Sequence, residues 1–290
     1  MCDDTDLAEF ERRDASRKGL SRREFAATGA VAGLAACTSM EAGRAARLTE
    51  TMVSVPTADG TMDAFFVHPA KPAPGVILWP DIAGLREAKK AMARRLAASG
   101  YAVLVANPYY RDVPAPQFAD FADFQAQKGF EKVGPWRAKA TDPAAVNRDA
   151  KALVAWLDGQ RAVNTKRGIG NQGYCMGGPY TVLTAAAVPA RVKAAASFHG
   201  GGLTTDKPTS PHLQLQRGTG YLIAIAQNDD AKQPESKTIF RNAAAAAGAM
   251  AEVEVYPDDH GWCVPDSPVY DPVQAERAWE RLLALYGRTL

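Results

Sequence analysis

Along the chain, segments whose apolar residues have the pattern of strands alternate with segments whose apolar residues have the period of helices. Some short runs, such as Gly75–Trp79, are apolar throughout, as expected for strands covered on both faces. The strand-like runs are Gly75–Trp79, Tyr101–Ala106, Gly168–Tyr174, Val192–Phe198, Tyr221–Ala226 and Glu252–Tyr256. Between them, apolar residues recur every three to four positions, as in Leu85–Ser99, which is the spacing of a helix with one buried face.

An antiparallel hairpin is predicted ahead of these runs. Thr51–Pro56 and Met62–His68 are strand-like and flank Ala58-Asp59-Gly60, a turn signal. Strands that alternate with helices predict a mostly parallel sheet with helices on both faces, to which the hairpin adds an antiparallel edge. The predicted fold class is therefore α/β, in one domain that spans residues 46–290.

One segment departs from this alternation. Residues 113–140 hold several aromatic residues among prolines and charges, without a clear period. The aromatic residues are Phe118, Phe121, Phe124, Phe130 and Trp136. We interpret the segment as an excursion over the sheet that forms a lid or a pocket wall. An extra surface helix packed on the domain is the alternative.

The first 45 residues are predicted to be an export signal rather than part of the fold. Arg22-Arg23 stands just ahead of Ala26–Ala36, a short and weakly apolar stretch, and this order is typical of a twin-arginine signal. Leu34-Ala35-Ala36-Cys37 also resembles the site at which bacterial lipoproteins are cleaved and acylated, so a lipid anchor on Cys37 is an alternative fate. We expect an exported, periplasmic protein. A cytoplasmic protein with an incidental arginine pair is the other interpretation.

Composition and charge narrow the function classes. The 290 residues are 47% hydrophobic and 23% charged, which is typical of a soluble globular protein. Because 34 basic residues nearly balance 32 acidic ones, a nucleic-acid-binding protein is not indicated. The four cysteines match neither a zinc-binding spacing nor a disulfide framework. We expect no metal, no organic cofactor and no membrane contact other than through Cys37, and no residue pattern indicates an oligomeric state.

Cys175 occupies the position of a nucleophile in a fold of this kind. Gly173-Tyr174-Cys175-Met176-Gly177 lies between a strand-like and a helix-like segment, and G-x-C-x-G is the nucleophile-elbow pattern with cysteine in place of serine. The sharp reversal leaves no room for side chains two residues away, and it directs the backbone N–H of Met176 to where an oxyanion forms. The helix N-terminus lowers the thiol pKa from its free value of about 8.5. A structural cysteine buried at a tight turn is the alternative.

The residues that would assist Cys175 follow it in the order acid, then histidine. His260 comes after the last predicted strand, where the base is expected. Asp229 and Asp230 both follow the strand that ends at Ala226, and we favour Asp229 as the acid that orients the imidazole. His199 ends another strand at the same rim, so we expect it to shape the substrate-binding pocket.

These motifs resemble the dienelactone hydrolase family, a group of α/β-hydrolase-fold enzymes with a Cys-His-Asp triad. The resemblance spans the chain from about residue 50 to its end, and six markers occur in the family's order. They are Trp79–Gly84, Asn107–Arg111, Gly173–Gly178, Phe198–Gly201, the Asp229 loop and His260–Trp262. The resemblance implies an α/β-hydrolase fold and the hydrolysis of an ester or lactone bond.

The resemblance also implies roles for residues around the triad. The N–H of Ile82 would be a second oxyanion donor. Asp81 stands where the family has a glutamate that modulates the thiol, but it is one methylene shorter, so facing solvent or pairing with Arg86 are alternatives. Arg111 loosely matches an arginine that helps to bind an acidic substrate. The arginine expected four residues after the histidine is Val264 here, which argues against an anionic dienelactone as the substrate.

The sequence therefore predicts a hydrolase that cleaves a small-molecule ester or lactone through an acyl-enzyme on Cys175. Two other classes stay open. One is a non-catalytic binding protein on the same fold, against which the intact Cys175, Asp229 and His260 argue. The other is a thiol-redox protein in which Cys263, near His260, reaches Cys175; the lack of a C-x-x-C motif argues against it.

Overall fold

The computed structural model describes residues 47–290, so the predicted export signal and Cys37 lie outside the described residues. Eight strands in this part of the chain form one sheet. They are β1 (Leu48–Thr57), β2 (Gly60–Pro69), β3 (Gly75–Trp79), β4 (Ala102–Ala106), β5 (Ile169–Tyr174), β6 (Val192–Phe198), β7 (Gly220–Ala226) and β8 (Met250–Tyr256). The helices are α1 (Glu87–Ala98), α2 (Phe121–Ala126), α3 (Gly129–Ala140), α4 (Pro143–Asp158), α5 (Gly178–Ala187), α6 (Gln227–Lys232), α7 (Ser236–Ala247) and α8 (Pro272–Thr289).

The sheet has the predicted mixed topology. Its strand order is β1-β2-β4-β3-β5-β6-β7-β8. The hairpin β1-β2 closes between Thr57 and Gly60, and β2 also pairs antiparallel with β4. All the other neighbours are parallel. The carboxyl ends of β3, β5, β6, β7 and β8 therefore meet at one edge, where open α/β sheets carry their ligand-binding loops.

Helices cover both faces of the sheet, as the apolar strands indicate. Helices α4, α5 and α7 contribute to the apolar core on one face, through side chains such as Leu153 and Phe240. Helices α1 and α8 contribute to the core on the other face, through Leu96 and Leu282. Strand β3 is buried at every position, which explains why its sequence is apolar throughout.

The long helices begin where capping residues indicate. The side chain of Asp142 accepts a hydrogen bond from the Ala144 N–H at the start of α4, and Pro143 occupies the first turn. Helix α8 begins in the same way at Asp271. The acidic segment after β7, which carries Asp229 and Asp230, is predicted to be a loop, but it forms the short helix α6. The sequence does not indicate this helix, because α6 has no apolar face. Among residues 47–290, no helix is long and apolar enough to span a membrane.

Candidate active site

The chain reverses sharply at Cys175, between β5 and α5. Cys175 has a backbone φ of 51°, in the left-handed region that residues other than glycine rarely adopt. Such a conformation costs about 1–3 kcal/mol and persists only where the surroundings enforce it. A Cβ on Gly177 would lie 2.6 Å from the carbonyl oxygens of Trp79 and Pro80, and one on Gly173 would collide with the Gly177 carbonyl. The predicted elbow geometry and the need for its two glycines are confirmed.

His260 and Asp229 come together beside Cys175, from the segments that follow β8 and β7. The Nδ1 atom of His260 lies 2.7 Å from Oδ2 of Asp229. The same imidazole hydrogen-bonds the side chain of Cys175. Asp230, the alternative acid, is instead bound by the Nζ of Lys237 at 2.6 Å. Of the two acids that the sequence left open, Asp229 is therefore the one that contacts the imidazole.

The surroundings of His260 favour its protonated form. Burial by itself lowers the pKa of His260, but the negative charge of a Cys175 thiolate raises it, and so do the hydrogen bonds to Asp229 and Cys175. The net result is a pKa of about 10. An imidazolium next to the sulfur stabilises a thiolate, which is the nucleophilic form of cysteine.

The loop after β3 brings Ile82 to the same place. The hydroxyl of Tyr109 donates a hydrogen bond to the carbonyl oxygen of Ile82 at 2.7 Å, which holds the loop. The N–H of Ile82 donates to no protein acceptor within residues 47–290. Ile82 and Met176 line the same cavity as Cys175. This placement agrees with the oxyanion-donor role predicted for the two amides, which remains a prediction.

Asp81 is bound by two buried cations. Its Oδ1 and Oδ2 accept hydrogen bonds from the Arg86 guanidinium at 2.7 and 3.1 Å, and the Lys89 Nζ lies 2.8 Å from Oδ2. The Ala83 N–H donates to Oδ1 at 3.0 Å. Burial would raise the pKa of Asp81, but Arg86 and Lys89 lower it more, to well below its usual range. Both oxygens of Asp81 are thus occupied and its charge is compensated, as in the alternative of pairing with Arg86. Asp81 lines the small cavity at Cys175, and its modulation of the thiol stays a prediction.

Arg111 belongs to a structural ion-pair network. Its guanidinium nitrogens donate to the carboxylates of Asp59 and Asp149 at 2.7 to 3.0 Å. The guanidinium also packs on the Tyr110 ring, 4.5 Å from its centre. Arg111 lines neither of the two cavities that Cys175 lines. Its predicted role in substrate binding is therefore corrected, because its hydrogen-bonding capacity is used within the protein.

His199 lies against the catalytic histidine, as its predicted pocket-shaping role requires. Its ring centre is 4.7 Å from that of His260 and 5.3 Å from that of Trp262. Burial lowers the pKa of His199 well below its ordinary value, and the nearby His260 lowers it further, so the ring is neutral. Within the described residues, neither ring nitrogen has a hydrogen-bond partner. His199 lines the smaller of the two cavities at Cys175.

The smaller cavity has a wall from the aromatic excursion. Its volume of about 30 Å³ is enough for one or two water molecules. Phe121 and Phe130 line it together with Val264, so the excursion does form a pocket wall, as predicted. Phe124 anchors this wall, since its ring centre lies 5.3 Å from that of Phe121 and 4.9 Å from that of Phe130.

The larger cavity is a groove of about 370 Å³, the size of a small-molecule site. It is lined by Cys175 and His260, and also by Arg137, Tyr180 and Lys207. Sequence reasoning missed the last three residues. Tyr180 carried a usable signal, because it lies in the second turn after the nucleophile, whereas Arg137 and Lys207 come from distant segments and carried none.

Cys263, the partner in the redox interpretation, lies in a different environment from Cys175. It lines a separate cavity with Tyr174 and Phe198, and it forms no disulfide with Cys175. Burial raises the pKa of the Cys263 thiol to about 12, the opposite of what a reactive cysteine needs. Among the described residues, no group of three or more His, Cys, Asp or Glu side chains is placed to hold a metal ion.

Comparison with known proteins gives concordant results. The sequence model of the dienelactone hydrolase family matches residues 62–290 of this chain. A candidate carboxymethylenebutenolidase from Escherichia coli (strain K12) is 31% identical over 244 residues, which cover 79% of this chain and 83% of that one. A second candidate carboxymethylenebutenolidase, from Methylorubrum extorquens, is 29% identical over 290 residues, which cover 92% of this chain and 93% of that one. The crystal structure of a candidate dienelactone hydrolase from Klebsiella pneumoniae superimposes with a TM-score of 0.70 at 25% identity, covering 83% of this chain and 99% of that one.

Proposed function

The chain belongs to the dienelactone hydrolase family and is a hydrolase of carboxylic esters or lactones, and we propose that it works through a Cys175-His260-Asp229 triad and an acyl-enzyme. The observation that carries this proposal is the continuous contact from Asp229 through His260 to Cys175. The strained turn at Cys175 supports it, because backbone strain of this kind is concentrated at functional sites.

Acylation begins from the thiolate of Cys175 beside the imidazolium of His260. The sulfur attacks the carbonyl carbon of the substrate, and the electron pair of the C=O bond moves to oxygen. The N–H groups of Ile82 and Met176 then stabilise this oxyanion; in comparable sites, removal of one such donor costs about 2.7–4 kcal/mol. As the tetrahedral species collapses, His260 gives its proton to the leaving alkoxide and a thioester remains on Cys175. With a lactone, the alcohol stays attached to the acyl chain.

In deacylation, His260 accepts a proton instead of donating one. Neutral His260 takes a proton from water while the water oxygen attacks the thioester carbonyl. Collapse of the second tetrahedral species expels the Cys175 thiolate and releases the carboxylic acid. Asp229 stays ionised throughout, because its role is to hold the imidazole in the correct orientation and to stabilise its charged form.

Substitution of Cys175 tests the proposal with an aryl acetate and a panel of lactones. Cys175→Ala is expected to lower kcat by about 10³-fold or more, whereas the matched control Cys263→Ala should retain most of the activity. Iodoacetamide should inactivate the wild type with one equivalent bound, on the peptide that contains Cys175. Acid quenching during turnover should trap one acyl group on that peptide. A Cys175→Ala enzyme with near-normal turnover would rule out this nucleophile.

A further inference from the structure

Arg86 connects three segments that build the active site. Its side chain is 0% exposed. One edge of the guanidinium donates to Asp81 at 2.7 and 3.1 Å, and Nε and Nη2 donate to Asp266 at 2.6 and 2.7 Å. Asp266 also accepts the backbone N–H of Phe121 at 3.0 Å. Arg86 thus joins two carboxylates, and the second of them also binds the backbone amide at the start of α2.

Each partner of Arg86 belongs to a segment with a different task. Asp81 immediately precedes Ile82, whose amide is the proposed oxyanion donor. Asp266 lies in the segment that follows β8 and carries His260. Phe121 begins α2 and lines the small cavity at Cys175. These segments are distant in sequence, since Arg86 and Asp266 are 180 residues apart, so no local chain geometry sets their separation.

A guanidinium is suited to this task in a way that other side chains are not. Its donors lie in one rigid plane and bind two carboxylates along two edges, so the distance between those carboxylates is defined. An ammonium offers a single charged point on a flexible stem and leaves that distance undefined. Because the site is buried, these charge-assisted hydrogen bonds are poorly screened and hold the loops firmly.

We propose that Arg86 is a positioning residue for acyl transfer, which holds the Ile82 amide and His260 at the separation that the oxyanion intermediate requires. Arg86 contacts neither the substrate nor the sulfur in this role. The inference rests on the proposed function, because it presumes attack by Cys175 and stabilisation of an oxyanion at Ile82. It goes further in assigning catalytic importance to a residue outside the triad and the oxyanion donors.

Positioning and simple stabilisation of the fold predict different kinetics. Ester hydrolysis needs the oxyanion donors, whereas alkylation of the thiol by iodoacetamide forms no oxyanion and needs only the thiolate. Loss of positioning should therefore lower kcat strongly and lower the alkylation rate of Cys175 much less, only as far as His260 moves away from the sulfur. Loss of stability alone would leave both rates unchanged per folded molecule.

The test compares Arg86→Lys with Arg95→Lys. Arg95 lies on α1, the helix that begins directly after Arg86, and is paired with Glu276 at the surface. Both rates are measured at a temperature where circular dichroism shows each variant to be folded. Arg86→Lys is expected to lower kcat by about 10²–10³-fold, the effect of losing one oxyanion donor, with little change in KM and a much smaller fall in the alkylation rate. Arg95→Lys should match the wild type in both rates.

Two results would overturn the inference: wild-type kcat in folded Arg86→Lys, or an equal fall of kcat and of the alkylation rate. If Arg86→Lys does not fold, Asp266→Asn decides instead, because it leaves the Arg86–Asp81 pair intact and weakens the connections of Arg86 and Phe121 to the His260 segment. That variant should show the same separation of the two rates, with a smaller fall in kcat, and equal rates with wild type would refute the inference. Failure of the proposed function is seen separately, as activity in Cys175→Ala.

Discussion

Replacement of Asp81 by asparagine should destabilise the protein by about 3–5 kcal/mol at pH 7, the usual cost of removing one partner from a buried ion pair. Arg86 keeps Asp266 as a partner, but the fully buried Lys89 has no other acidic partner among the described residues. The orphaned ammonium can relieve its burial by losing its proton. For a lysine with an ordinary pKa of about 10.4, this costs about 4.6 kcal/mol at pH 7, which sets an upper limit on the part of the loss that is due to Lys89.

The dependence on pH has a defined sign. The pKa of Asp81 is lowered in the folded protein, so its contribution is complete above the ordinary carboxyl pKa of about 3.9 and is lost as the pH falls further. The difference between wild type and Asp81→Asn should therefore be full at pH 7 and shrink below about pH 4. It should also narrow as the pH rises towards the ordinary lysine pKa of about 10.4, because a neutral Lys89 then costs less.

Urea unfolding, followed by tryptophan fluorescence, measures these differences. Asp81→Asn combined with Lys89→Met should recover at least half of the lost stability, because the orphaned charge is gone. The matched control is Asp158→Asn, which breaks the partly exposed pair with Arg191 and should cost no more than about 1 kcal/mol. Cooperative unfolding of Asp81→Asn within about 1 kcal/mol of wild type at pH 7 would refute the reasoning, since Lys89 would then have to be solvated.

Two further predictions concern the acid of the triad and the N-terminal segment. Asp229→Asn should lower kcat by roughly 10²–10⁴-fold, because the imidazole of His260 loses its orienting charge, whereas Asp230→Asn should have a kcat near that of the wild type. Steady-state kinetics on an aryl ester measure both values. The opposite ranking would assign the acid of the triad to Asp230. We also propose that residues 1–45 direct twin-arginine export, so that replacement of Arg22-Arg23 by two lysines should retain the precursor in the cytoplasm. Mass spectrometry of the mature N-terminus would distinguish acylated Cys37 from cleavage after it, and an extracytoplasmic protein with an intact N-terminus would contradict removal of the leader.

Features that depend on neighbouring residues could be read from the sequence alone. The continuous apolar run Gly75–Trp79 indicates a strand buried on both faces, because a strand with one face in solvent would alternate apolar with polar positions. Gly173 indicates the elbow because its steric limit is local, set by the Gly177 carbonyl four residues on, whereas the limit at Gly177 is set by Trp79 and Pro80. The order of Cys175 and His260 along the chain follows from the order of the strands, whose carboxyl ends meet at one edge.

Contacts between side chains of separate segments could be assigned only from the tertiary structure. Asp229 and Asp230 are adjacent on α6, where side chains point in different directions, so only the placement of His260 and Lys237 distinguishes them. A carboxylate or a guanidinium binds whichever partner lies within about 3 Å, and sequence spacing does not specify that distance between separate loops. For this reason Arg111 pairs with Asp149 rather than with substrate, whereas the pairing of Asp81 with Arg86, five residues away, was among the alternatives that the sequence left open.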